Sequence, residues 1–193
     1  MCHFMIPARL RLVVRIQHGG SLAIPATSGE YGTLPVGRHQ ATLEEIYEHF
    51  VENAPFRERR ELIYDALRLY AKIVVTEFGH ATLWIDGGFV THKTWPPNDT
   101  DVVTVVPQAE YANMCSSTDC LRYLTLQGVM VAQPETFAPV KRIQPMGGLI
   151  DSFVVPDDPI FTAVWDHRWS RVSDQYKNLL PEDVRKGYLE VKL

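Results

Sequence analysis

Apolar and polar positions change period several times along this chain, and the changes predict its elements. Thr42-Leu-Glu-Glu45 has the spacing of a capping box, with Thr42 as N-cap and Glu45 reaching back. A short helix to about Asn53 follows, carrying Leu43, Ile46 and Phe50 on one side. Pro55 opens a second helix over 57–78. Its apolar positions Leu62, Ile63, Ala66, Leu67, Tyr70, Ile73 and Val74 form a wide stripe at helical spacing. Arg57, Arg59, Arg60, Arg68 and Lys72 read as its solvated face, and Gly79 as its stop. Strands are predicted over 82–86, 100–106 and 149–155, with a last one over 185–193. Pro107 ends the second of these. Residues 108–133 read as mainly helical with a break near Cys115-Ser-Ser-Thr118, and Pro134 to Pro145 as a loop. Pro159 begins a helix carrying Phe161, Val164, Trp165 and Trp169. This order predicts an α+β fold, an α/β two-layer domain with a mixed sheet backed by helices. Strands 82–86, 100–106 and 149–155 are expected to be neighbours, backed by helix 57–78.

Length and composition add only bounds. A chain of 193 residues favours one domain with a proper core. A net charge of -4 gives no global argument for DNA or membrane binding. No apolar run is long enough to span a membrane. Cys2, Cys115 and Cys120 have no metal-ligand spacing and fit a reduced, cytoplasmic setting. Met1 to Ile16 mixes arginines into its apolar residues, unlike a secretory signal, and residues 17–33 turn Gly/Ser/Thr-rich. Residues 1–33 are therefore expected to form a poorly ordered extension, and 34–193 the domain.

The chemistry concentrates between Leu83 and Val103. Asp99 and Asp101 flank the start of a strand and point to one face, with Thr100 opposite. Their Cβ atoms then lie roughly 6–7 Å apart, a separation that a divalent cation bridges. Magnesium binds through one or two carboxylates plus substrate phosphates. Gly87 and Gly88, lacking Cβ, let a phosphate approach backbone N–H groups. Asp151, set in an otherwise apolar run, is the natural third carboxylate. Lys93 either neutralises phosphate charge or is a solvated loop lysine; Trp95 either packs its loop or stacks on a base. Asp86 would repel a phosphate and is left out of the site. The histidines lack zinc-ligand spacing, and no Ser/His/Asp, Cys/His or Walker-type arrangement competes.

Ile85, Gly87, Gly88, a ten-residue gap, Asp99, Asp101 and Val102 together resemble the signature of the nucleotidyltransferase superfamily, the polymerase beta-like fold. More narrowly, Leu34-Pro-Val-Gly-Arg-His-Gln-Ala-Thr-Leu43, Asp86-Gly-Gly-Phe-Val-Thr91 and Arg185-Lys-Gly-Tyr-Leu-Glu-Val191 are similar to an uncharacterised prokaryotic group of small nucleotidyltransferase-like proteins. The resemblance covers about residues 34 to 193. It implies magnesium-dependent transfer of a nucleoside monophosphate from an NTP such as ATP to a hydroxyl acceptor, which is RNA, protein or a small molecule. It also implies Asp99, Asp101 and Asp151 as catalytic magnesium ligands, and Gly87, Gly88 and Lys93 on the nucleotide phosphates. Lys186-Gly187 reaches the site on this resemblance alone. A toxin–antitoxin or defence setting follows only by analogy. Gly88 stands where many relatives carry Ser, leaving only backbone donors there. An inactive binding or interaction protein on the same fold, or a metal-dependent phosphohydrolase, stays open.

Overall fold

The computed structural model describes residues 24–132 and 137–193. In chain order the elements are β1 (Gly37–Gln40), α1 (Leu43–Tyr47), α2 (Arg57–Phe78), β2 (Thr82–Asp86), β3 (Thr100–Val106), α3 (Gln108–Cys115), β4 (Leu126–Ala132), β5 (Phe137–Ile143), the distorted turn α4 (Pro145–Gly148), β6 (Ile150–Pro156), α5 (Pro159–Trp169) and β7 (Gly187–Lys192). The capping box forms as expected: the Glu45 N–H donates to Thr42 Oγ1 at 3.1 Å, and the Thr42 N–H donates to Glu45 Oε2 at 2.8 Å. After α1 the helix widens into a π-turn over Glu48–Glu52.

One mixed sheet runs in the order β1-β7-β2-β3-β6, and β4 and β5 form a separate hairpin. The α+β fold is thus as expected, with β2, β3 and β6 as neighbours. β2 is antiparallel to β3 and β7, whereas β3 and β6 are parallel. Alternation along the strands gives the sheet two faces. Leu83, Ile85, Val102, Val106, Ile150 and Leu189 pack with Ile63, Leu67, Tyr70 and Val74 of α2. Trp84, Val103, Val105, Val155 and Tyr188 face the other way and pack with Trp169 of α5. Tyr70 OH lies 3.1 Å from Thr104 Oγ1 and 2.6 Å from Ser152 Oγ, so a satisfied polar cluster fixes α2 against β3 and β6.

Several local expectations change. Leu126–Ala132 is a strand rather than the end of a helix, and it pairs with Phe137–Ile143, which lies where a loop was expected. A short apolar run reads equally as helix or strand until a partner decides. Leu62 was expected in the buried stripe but is 51% exposed, because the sheet covers only one side of α2. Of the extension expected over 1–33, residues 1–23 lie outside the described residues. Residues 24–33 pack on the domain: Ile24 joins the core margin, and the His92 N–H donates to the Gly32 carbonyl at 2.8 Å. Cys115 and Cys120 are free, and Cys2 lies outside the described residues. Among the described residues no helix is long and apolar enough to cross a membrane.

Candidate functional site

Strand register sets three aspartates in one row. Asp86 ends β2, and it pairs across the ladder with Asp101 of β3. Asp101 in turn pairs with Asp151 of β6. Residues directly opposite on neighbouring strands share a face. The row therefore lies on the face turned away from α2. Asp99 stands two residues ahead of Asp101 on the same side. These aspartates border a cleft of about 330 Å³ together with Gly87, Gly88, Lys93, Arg142 and Lys186. All six site residues expected from sequence meet there, and Asp86, which the sequence reading left out, joins them.

The two glycines differ in what they require. Gly87 has φ +86, and a Cβ there would collide with the Asp101 carboxylate. Gly88 opens a short 3-10 turn over Gly88–Val90, and its Cβ would meet only Pro97 Cβ at 3.6 Å, an ordinary contact. Thr91 Oγ1 donates to the Gly88 carbonyl at 2.8 Å and closes the turn.

Adjacent arginines of α2 hold the connection between β2 and β3, part of which lines the cleft. Arg60 is fully buried and donates to four carbonyls: Pro55 at 2.6 Å, Phe50 at 3.0 Å, Phe89 at 2.6 Å and Thr91 at 2.6 Å. Burial lowers its guanidinium to about 10. Arg59 donates to the carbonyls of Pro97 and Asn98, just ahead of Asp99. The solvated-face reading is thus corrected for Arg60. A signal was present, because Arg60 stands three and seven residues before Ile63 and Leu67, on the apolar stripe.

Each outer carboxylate is engaged by the protein. Asp86 is ion-paired with Lys186 and accepts from the Gly87 N–H; burial nonetheless pushes its carboxyl up, against the pull of Lys186. Asp151 is ion-paired with Arg142 through Oδ2, while its buried Oδ1 has no hydrogen-bond partner among the described residues. Asp99 Oδ2 accepts from Gln144 Nε2 at 2.8 Å. Asp101 has no ion-pair partner among the described residues. Burial first, then the charges of Asp86 and Asp99, push its carboxyl up to about 7. Lys93 is 7% exposed, donates to the Ser173 carbonyl at 3.1 Å and sits 5.2 Å from the Trp95 ring centre. Burial and the neighbouring charge of Lys186 lower its pKa. It is not a solvated loop lysine. Trp95 borders the same cleft and meets Tyr31 edge-on at 6.4 Å.

Among the described residues no three His, Cys, Asp or Glu side chains are drawn together in a metal-holding arrangement. Asp86 and Asp151 are instead turned to Lys186 and Arg142. The all-oxygen donor set, with an Asp151 Oδ1 that has no partner among the described residues and an Asp101 outside any ion pair there, suits a hard divalent cation. A larger groove of about 540 Å³ lies elsewhere and includes Arg38, Trp84 and Glu190. There Arg38 and Trp84 both already bond Glu190, and no comparable row of carboxylates faces it.

Residues 26–192 match one family model, a span that takes in every residue of the cleft. The chain belongs to the family of unknown function DUF6932. The match begins inside the segment that packs on His92, so the family's domain starts ahead of Leu34. No curated protein and no solved structure matches the chain.

Proposed function

We propose that this protein is a cytoplasmic, magnesium-dependent nucleotidyltransferase that moves a nucleoside monophosphate from an NTP to a hydroxyl of an RNA, protein or small-molecule acceptor, with release of pyrophosphate. The observation that carries the reading is the register pairing of Asp101 with Asp151, with Asp99 alongside and the Gly87-Gly88 turn at the same cleft. Asp99, Asp101 and Asp151 would hold the metal. A bound divalent cation would neutralise phosphate charge and lower the pKa of the attacking hydroxyl. The turn offers a phosphate a surface without side chains, and Lys93 and Lys186 add positive charge. Asp151 would also accept the acceptor's proton. Catalysis by this chain would rest on positioning and fixed charge.

The test is incubation with each labelled NTP, magnesium and cell extract. Magnesium-dependent label on an acceptor, lost in Asp101→Asn, supports the reading. Absence of magnesium-dependent binding for every NTP sinks it. Binding without transfer would leave a binding module, and release of free product without a labelled acceptor would leave a phosphohydrolase.

A further inference from the structure

The β4–β5 hairpin stands outside the main sheet, yet its outgoing end reaches the cleft. Arg142 is ion-paired with Asp151, and two residues on Gln144 donates to Asp99 at 2.8 Å. One short segment thereby occupies two of the three carboxylates assigned to metal, and leaves Asp101 alone. The hairpin does not depend on Arg142 for its attachment. At its base the Thr125 N–H donates to the Ser152 carbonyl at 2.9 Å, and the Ser152 N–H donates to Thr125 Oγ1 at 2.8 Å.

We infer that Arg142 is a phosphate-binding residue that exchanges partners: it holds Asp151 in the empty cleft and the substrate's phosphates in the filled one. The inference rests on the nucleotidyltransferase reading and assigns a residue which that reading did not use. Three features support it. The Arg142 side chain is 37% exposed and that of Asp151 is 9% exposed, so the guanidinium is the partner with room to move. A guanidinium presents a planar fork that fits phosphate oxygens as well as it fits carboxylate oxygens. A carboxylate oxygen given to a divalent cation no longer serves the guanidinium well, because two cations then share one anion. The cleft so latched resists free metal and admits metal together with a polyphosphate. Metal and phosphate binding are then coupled, each strengthening the other.

The experiment compares wild type, Arg142→Ala, Arg142→Lys and Gln144→Ala as full chains. Manganese alone is titrated by electron paramagnetic resonance. Magnesium tripolyphosphate, a probe with no base, is titrated by calorimetry. Arg142→Ala is expected to bind manganese about tenfold more tightly and tripolyphosphate about tenfold more weakly, each about 1.4 kcal/mol. Gln144→Ala frees Asp99 for the metal, so it should tighten manganese and should not weaken magnesium tripolyphosphate. Arg142→Lys should recover part of the tripolyphosphate affinity, and it carries the test if Arg142→Ala does not fold. A structural arginine would weaken both ligands together. If wild type binds magnesium tripolyphosphate and the Arg142 variants bind it equally well, the exchange is overturned while the nucleotidyltransferase reading stands. If wild type binds neither this probe nor any NTP with magnesium, both fall.

Discussion

Asp101 and Asp151 are register partners on parallel strands, yet among the described residues only Asp151 of the two is ion-paired. The protein thus keeps one carboxylate of the pair compensated and leaves the other in a site where ionisation is costly. That asymmetry motivates the first prediction.

Burial and like charge raise the folded Asp101 carboxyl from 3.8 to about 7. The folded protein therefore holds a proton that the unfolded chain releases. Stability from this group is greatest below the unfolded value and falls as pH climbs between the two values. Asp101→Asn should flatten that part of the pH profile and raise the melting temperature of metal-free protein under mildly alkaline conditions. Thermal melts of both proteins across pH check this; an unchanged slope counts against it.

Gly87 and Gly88 should respond differently to substitution. Gly87→Ala combines a disfavoured φ with a collision at Asp101, and should cost at least about 1–2 kcal/mol. Gly88→Ser meets only an ordinary contact and should stay within about 1 kcal/mol of wild type. On the proposed function its hydroxyl should also preserve or tighten NTP binding. Denaturant unfolding and NTP titration separate the two; equal destabilisation would contradict the geometry.

Arg60→Met should destabilise the fold by roughly 3 kcal/mol or more, because the lost guanidinium leaves four carbonyls without their donor. Arg60→Lys should recover little, since one ammonium cannot replace a planar fork that bonds all four. Arg59→Ala should cost less stability and act mainly on the loop ahead of Asp99. Chemical denaturation ranks the three, and a mild effect of Arg60→Met would be the disproof.

Shortening the chain to begin at Leu34 should lower the melting temperature relative to a chain beginning at Ile24. The shorter chain loses the Gly32 carbonyl that accepts from His92, the Ile24 contact and the Tyr31 edge on Trp95. Indistinguishable melting curves would show that residues 24–33 contribute nothing.

Much of the scaffold was legible in the residues. The helix over 57–78 and the strands over 82–86 and 100–106 follow from local periodicity, which each segment carries within itself. The spacing of Asp99, Asp101, Gly87 and Gly88 likewise lies within one segment, and the cleft gathers them. An anion beside a phosphate site is unfavourable, so local sequence argues against Asp86. Only a partner 100 residues away, Lys186, changes that sum. The burial of Arg60 is not legible locally, because its four acceptors lie outside its own helix. The hairpin is not legible in either segment alone, because its two strands are strands only through each other.

Period, caps, turn glycines and the paired aspartates depend on neighbours a few residues apart, and the chain carries them locally. Tertiary structure alone decided the register that lines up Asp86, Asp101 and Asp151, and with it the carboxyl raised to about 7 and the cations that meet its neighbours. Charge and burial act through space, and the distances that govern them exist only once the strands have paired.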